Sequence, residues 1–497
     1  MTNVHFPVYI LLLLLIYAIF IPLSKGGYNN KFKIQTVSVL AIAWALSSSL
    51  LICVLKEGSF MYNFGNWSPT IGIQFAVDEF SALMTFVVLT LATLIIIYSL
   101  KDIEHEIAEP QFLSYYTLIF LLLFSMIGMI FTNDLFNLYV FLEILSITSY
   151  GIISIKRSKD NLMATLKYLI IGTVGSASIL IGIALLYMVT GYLNMSEVNG
   201  VIGGAWQIYP RNILLSLVFI LTGLGIKSAI FPLHTWLPDA HSNAPTPSSA
   251  LLSGLVVKIY IFSIAKILFR VIGIDIIQTI GVPEFITYFA ILSMIAGSIF
   301  AIGQKDIKRM LAYSSVAQIG YIFLGLGLAT ELGLGAAFFH VITHALMKIT
   351  LFLSAGAIIY KTGKRNIDDL KGIGYEMPIT MGVFTIAALG MIGVPGINGF
   401  ISKWYLSMAV LDANKPIYVV LILISSLLNA IYYLPIIMSA FLKESKSGKN
   451  VMVLDSLPKT MLITMVTLAG ACIIIGIFPN IVMDIIKKAV PTFLFIN

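Results

Sequence analysis

Charge is what this chain has least of. Of its 497 residues 11% are charged and 59% hydrophobic, and the mean hydropathy is +0.98. A soluble globule carries roughly 25% charged residues, so nothing here could cover a water-facing surface of this size. A soluble protein is excluded. Cysteine is nearly absent: Cys53 and Cys472 lie in apolar runs far apart, which rules out a disulfide framework and a four-thiolate iron-sulfur cluster. No GxGxxG or GxxxxGK(S/T) pattern opens a helix, so nucleotide binding has no support. The net charge is +7, but the basic residues form small clusters between apolar stretches rather than a stripe that could track phosphates. Nucleic acid is excluded as a partner.

What the chain has is long apolar runs. A bilayer core about 30 Å thick takes about 20 helical residues, and fourteen runs of that order are present, at roughly 5–23, 33–55, 80–100, 112–131, 135–155, 165–190, 212–231, 249–271, 285–303, 308–328, 334–360, 377–411, 416–442 and 459–486. They are continuous rather than short and alternating, so helices and not barrel strands satisfy the backbone. The first run has no basic segment before it and no small-residue cleavage site, and reads as a retained helix. The expected fold is an all-α polytopic membrane protein of about 14 transmembrane helices.

An even number of spans puts both termini on one side. Loops after odd-numbered runs hold most of the Lys and Arg, including Lys25, Lys31, Lys33, Lys156, Arg157, Lys159, Lys305, Lys308, Arg309, Lys361, Lys364, Arg365, Lys371, Lys443, Lys446 and Lys449. The positive-inside rule then places both ends outside the cytoplasm of a prokaryotic plasma membrane. Five lysines fall inside the spans: Lys227, Lys258, Lys266, Lys348 and Lys403, accompanied by Glu143.

An ionisable group near a helix centre costs about 2.5–3.5 kcal/mol on insertion scales, so each needs a reason. Glu143, eight residues into the fifth run, is about 12 Å deep at 1.5 Å per residue. Lys258 is at similar depth in the eighth. Lys227 precedes Pro232, expected to break the helix and free carbonyls toward a polar cavity. The twelfth run is interrupted by Gly393, Pro395, Gly396 and Gly399, with Lys403 just beyond. Lys266, near a helix end beside Arg270, is expected to snorkel to the interface or to lose its charge by burial. The others are too deep for that, and opposite charges lower each other's burial cost, so Glu143 with Lys227 is the expected ion pair. His340, His344 and Lys348 lie at i, i+4 and i+8 on one helix face, about 6 Å apart along it. Groups so spaced can pass protons through waters. Polar contacts between helices are the plainer reading. A metal is not expected, because the HExxH glutamate is missing. The acidic stretch 101–110 (KDIEHEIAEP) is expected to be a solvated loop or to touch a partner.

Runs 4–8 and 9–13 each place a proline-interrupted helix with a buried lysine fourth, and an odd number of spans per block inverts the second copy. The expected organisation is an N-terminal three-helix segment (1–111), two five-helix repeats (112–271 and 272–442) and a C-terminal helix (443–497).

The stretch GIKSAIFPLHTWLPDAHSNAPTPSSALLSGLVVKIYIF (225–262), with NDLFNLYVFLEI upstream and FFHVITHALMKITLFLSAGAI downstream, resembles the proton-conducting antiporter-like subunits of respiratory complex I. The D-type subunits of Mrp-type sodium/proton antiporters and membrane-bound hydrogenase subunits belong to the same family. The resemblance covers nearly the whole chain. It implies a 14-helix fold with two inverted five-helix units and a hydrophilic axis across the membrane plane. It assigns Glu143, Lys227 and Lys258 to successive axial sites, His340, His344 and Lys348 to a relay, and Lys403 to the terminal site, with His234, Asp239 and His241 of PLHTWLPDAH as secondary candidates. A lysine at 403 fits several members and departs from the complex I subunit that carries glutamate there.

The expected function is proton movement in a multi-subunit membrane complex, nearest to the D-type subunit of Mrp antiporters. A complex I-type oxidoreductase or a membrane-bound hydrogenase is the alternative. Other membrane subunits, protons and Na⁺ are the expected partners, and no cofactor or metal is expected. A 4 Å ion pair at an effective dielectric near 20 is worth about 4 kcal/mol, enough to switch a lysine. Three other classes stay open: a free-standing solute transporter would show a pocket instead of a line of titratable groups, a redox enzyme would need ligands across helices from His234 and His241, and an intramembrane hydrolase would need a nucleophile and base.

Overall fold

The computed structural model describes residues 2–24, 27–443 and 455–494. Lys25, Lys446 and Lys449 of the charge census lie outside the described residues. The helices in chain order are α1 (Phe6–Phe20), α2 (Asn30–Glu57), α3 (Glu79–Glu106), α4 (Phe112–Phe131), α5 (Leu135–Ser154), α6 (Lys159–Thr190) and α7 (Met195–Ile208). Then come α8 (Pro210–Ser228), α9 (Leu237–Asn243), α10 (Thr246–Leu251), α11 (Val257–Ala265), α12 (Ile274–Ile280), α13 (Val282–Ile302) and α14 (Ile307–Gly327). The last are α15 (Glu331–Thr362), α16 (Ile373–Glu376), α17 (Pro378–Ile392), α18 (Asn398–Asp412), α19 (Ile417–Leu442), α20 (Lys459–Ile477) and α21 (Asn480–Leu494).

Among the described residues twelve helices are long and apolar enough to cross a membrane. The two expected runs missing from that set are the irregular ones. Run 249–271 is continuous from α10 to α11 but contains π-helical turns at Leu252–Val256 and Lys266–Ile272. Run 377–411 is two helices, α17 and α18, joined by non-helical residues in which Gly393 and Gly396 take φ of 95° and 90°. The expected last run, 459–486, is also divided: α20 stops before Pro479, which cannot continue the hydrogen-bond ladder, and α21 follows as a separate amphipathic helix. A short antiparallel hairpin, β1 (Phe60–Asn63) with β2 (Gln74–Val77), lies in the connection between α2 and α3, which the helical reading of the runs did not anticipate.

Polar contacts sort the connections onto two opposite faces. On one, Lys156 after α5 pairs with Glu106 at the end of α3, while Arg365 after α15 reaches both Asp306 before α14 and the Ser242 carbonyl in α9. On the other, Asp78 before α3 pairs with Arg270, and Asn133 before α5 bonds Gln74 and Ser196. This is the up-down alternation that spans joined by short connections require. The same contacts revise the 101–110 stretch. Its first six residues are no loop: α3 continues to Glu106, and the i, i+4 spacing turns Asp102 and Glu106 inward while Lys101, Glu104 and His105 face out; the connection to α4 begins only at Ile107.

The centre is α14 and α15, whose apolar windows are almost wholly enclosed. α15 packs against α3, α10, α14, α17, α18, α20 and α21. Helix starts carry short polar caps: Asp78 accepts from Ser81 in a reciprocal capping box, Asp134 from Asn137 and Thr330 from Gly333.

The two halves of the broken helix meet at glycine. A Cβ on Gly399 would lie 1.9 Å from the Gly390 carbonyl oxygen, a backbone atom that cannot swing away. Gly399→Ala is therefore expected to cost about 1–3 kcal/mol or more, whereas Gly382→Ala, which meets nothing within 4 Å, should be neutral or slightly stabilising. Thermal unfolding of the detergent-solubilised protein measures both, and an unchanged midpoint for Gly399→Ala contradicts the close approach.

Candidate functional site

Lys227 stands at the end of α8. Its ammonium is fully buried and donates to Ser146 Oγ at 2.8 Å and Tyr150 OH at 3.4 Å, one and two turns along α5 from Glu143. No ion pair joins Lys227 to Glu143 within 4.0 Å among the described residues, so the expected pair is replaced by hydroxyls. Glu143 stays within electrostatic reach, half-buried, with Oε1 enclosed and unpartnered. The site is tight because α6 presents Gly172: a Cβ there would sit 2.2 Å from Tyr150 OH and 3.5 Å from Lys227 Nζ.

The break after α8 also differs from expectation. Ala229 adopts a left-handed conformation, and the carbonyls it frees are taken up locally. Gly225 accepts from the Ile230 N–H (3.2 Å) and Ile226 from Trp236 Nε1 (2.8 Å), so they do not open toward a polar cavity.

Ser146 also approaches the Tyr260 hydroxyl at 3.4 Å. Tyr260 stands on the same helix as Lys258, so the hydroxyls beside the first lysine reach the element that carries the second, although positions two apart point to different faces of it. Lys258 is buried and donates to the Ser253 carbonyl inside the first π-helical turn. Such turns leave backbone groups poorly paired and often mark functional places.

On α15 the expected face forms. His340 and His344 stack with ring centroids 5.8 Å apart, and His344, wholly buried, has no partner on either nitrogen. His340 Nδ1 lies 2.9 Å from Ser402 Oγ, and its Nε2 is unpartnered. Lys348 donates to the Leu311 carbonyl at 2.6 Å and to Ser314 Oγ. Lys403 caps the end of α17, donating to Met391 O (2.8 Å), Ile392 O (3.0 Å) and Ser426 Oγ (2.9 Å). The Tyr321 ring ties the two groups together: it is 5.4 Å from the His340 ring and 5.0 Å below Lys403 Nζ. His344 lies within electrostatic reach of both Lys258 and Lys348.

The secondary candidates scatter. Asp239 is at the surface, paired with Lys167 (2.7 Å) and Arg309 (3.1 Å) beside a cavity of about 710 Å³. His234 stacks on Phe231 and Phe300 away from the axial lysines. His241 is fully buried with both nitrogens unpartnered. Lys266 does not snorkel. It is 1% exposed and donates to the carbonyls of Met129 (3.4 Å), Ile130 (2.8 Å) and Thr132 (2.6 Å), closing the end of α4. One turn on, Arg270 pairs with Asp78. Burial raises that carboxyl, but the Arg270 guanidinium, the Ser81 N–H and Lys266 outweigh it and hold it below the usual carboxylate range.

Residues 132–429 match the family described as NADH:quinone oxidoreductase/Mrp antiporter, transmembrane, and residues 64–116 match the N-terminus of NADH-ubiquinone oxidoreductase (complex I) chain 5. The chain belongs to the NADH:quinone oxidoreductase/Mrp antiporter family. It is similar to the N-type subunit of the NADH-quinone oxidoreductase of Desulforudis audaxviator, at 36% identity over 91% of this chain and 92% of that one. It is similar to the D-type subunit of the Na(+)/H(+) antiporter of Alkalihalophilus pseudofirmus, at 30% over 87% and 88%. A chain in the structure of the membrane-bound sulfane sulfur reductase, an archaeal respiratory membrane complex, superposes with a TM-score of 0.90 at 30% identity, covering 98% of this chain and 97% of that one.

In this family member α14 supplies a polar face that a count of charges passes over. Ser314, Gln318 and Tyr321 recur at i, i+4 and i+7, and the Gln318 side chain, 0% exposed, is unpartnered at both ends. That spacing in an otherwise apolar helix was the available signal. Lys308 was counted as a loop charge, yet it is 2% exposed and donates to Ala244 O at 2.6 Å.

If Ser146 carries the buried ammonium, Ser146→Ala should cost about 1–3 kcal/mol by stranding a charged donor, and should be close to neutral once Lys227 is Met. A thermal-unfolding double-mutant cycle reads the coupling. Equal losses in both backgrounds would mean Ser146 does not hold Lys227.

Proposed function

We propose that this chain is the proton-translocating, antiporter-like subunit of a multi-subunit membrane complex in a prokaryotic plasma membrane, with both termini outside the cytoplasm. The observation that supports it most is the sequence of side chains from the half-buried Glu143 through the buried Ser146, Lys227, Tyr260, Lys258, His344, His340, Tyr321 and Lys403, in which no lysine is locked to a carboxylate. A lysine paired with an adjacent carboxylate would hold its proton; one held by hydroxyls and carbonyls can release it.

In this reading Glu143 senses a neighbouring subunit. When negative charge moves away from Lys227, the ammonium loses stabilisation and its proton passes by way of Ser146 toward Lys258. Lys348 and the two α15 histidines exchange it with Lys258, and Lys403 exchanges it with one bulk phase. Residues 112–271 and 272–442 form inverted five-helix units, each broken beside its lysine. The identity of 36% to the N-type subunit of an oxidoreductase favours a respiratory host as a second reading beside a sodium/proton antiporter. Chains co-purifying with the native assembly decide between them: flavin and iron-sulfur subunits mark the former.

Lys227→Ala and Glu143→Ala are each expected to abolish proton movement in sealed vesicles carrying the complex, with assembly on native gels retained. Normal acidification by both variants would rule out the axis.

A further inference from the structure

We propose that the end of α3 is the proton-loading site of this subunit, Asp102 and Glu106 taking protons from the lysine-rich face and His241 handing them to Lys348 and Lys258. This rests on the axial reading above. Asp102 and Glu106 stand one turn apart, side by side on the inward face of α3, and two neighbouring carboxyl groups readily share a proton. Glu106 is satisfied: Oε1 accepts the Thr246 N–H at 2.7 Å and Oε2 pairs with Lys156. Asp102 is not. It is 1% exposed, and its Oδ2 has no partner. A carboxylate oxygen so placed is costly unless a proton or water reaches it. The charges around the pair are Lys156 beyond α5 and Lys308 of α14, with Arg365 beyond Lys308. Of the nearby hydroxyls, Tyr98 donates to Leu353 O (3.0 Å) and Tyr115 accepts from Ser248 (3.1 Å). His105 turns away against Tyr360.

The inward connection follows from the same contacts. Lys308 holds the Ala244 carbonyl and Glu106 the Thr246 N–H, so the link between α9 and α10 is gripped from both sides. His241 lies three residues before Ala244. Its ring centroid is 6.2 Å from that of Phe352, and Phe352 is 5.9 Å from Lys348 Nζ on α15. The imidazole is within electrostatic reach of Lys308 outward and of Lys258 and Lys348 inward. With neither nitrogen partnered, it is placed to accept a proton on one and release one from the other. The cavity lined by Asp239, Lys167, Arg309, Asp306 and Arg365 brings solvent to the outer side of α9. Each step moves one H⁺ from carboxyl to imidazole to amine, with no other bond made or broken.

The test uses the assembled complex in sealed vesicles, with Lys227→Ala as the reference for the axis. Asp102→Asn, and separately His241→Gln, should slow proton movement roughly tenfold or more, while Asp102→Glu restores most of the rate. Difference infrared spectra on pH change should show a carboxyl C=O band that Asp102→Asn removes, a signal a purely structural aspartate would not supply. Should Asp102→Asn fail to assemble, His241→Gln, which removes no ion pair, carries the same expectation. Full rate in His241→Gln or in an assembled Asp102→Asn, while Lys227→Ala is inactive, overturns the loading site and leaves the axis standing. Full rate in Lys227→Ala overturns both.

Discussion

Burying an ammonium in hydrocarbon without a carboxylate beside it is the constraint from which the rest of this structure follows. The cost is about 2.5–3.5 kcal/mol at a helix centre, and hydrogen bonds to a charged group return about 1.5–3 kcal/mol each. Lys266 and Lys403 meet it at helix ends, where terminal carbonyls are unpaired and the dipole is negative. Lys258 meets it at a π-helical turn, and Lys348 with one backbone carbonyl and the Ser314 hydroxyl. Two acceptors at Lys227 and Lys348 and three at Lys266 and Lys403 offset the burial without pinning the charge, and a proton so held remains available.

That solution dictates where helices must break. A carbonyl serves a lysine most readily where the ladder has released it, and the interruption between α17 and α18 and the π-helical turn at Leu252–Val256 stand beside Lys403 and Lys258. Close backbone approach packs the surroundings of these sites: Gly390 and Gly399 let α17 and α18 touch, and Gly172 lets α6 press against Lys227 and Tyr150. The break after α8 works differently, since Trp236 takes the Ile226 carbonyl and leaves Lys227 to the hydroxyls of α5.

Much of the fold and of the axis was legible beforehand. Hydropathy located the twelve membrane-length helices, because twenty apolar residues in a bilayer permit little else, but passed over α7, which is too short and too polar to form such a run. The depth of Glu143, Lys227, Lys258 and Lys403 singled them out, and the four-residue spacing of His340, His344 and Lys348 put them on one face. What escaped were groups whose type is ordinary and whose place is not. Ser146, Gln318 and Tyr321 are common in membrane helices, and Asp102, Glu106 and Lys308 sit close enough to run ends to pass for loop charges.

The sequence by itself determined the membrane, the number of helical runs, the places where they falter and the list of charges too deep to snorkel, because each depends on composition and period along one segment. Which partner each charge takes was decided only by the tertiary structure. Whether Lys227 faces Glu143 or Ser146, whether Lys266 reaches water or the end of α4, and whether Asp102 looks out or inward are questions of angstroms between helices distant in the chain. Those distances come from the packing of all the helices at once, which no local pattern encodes.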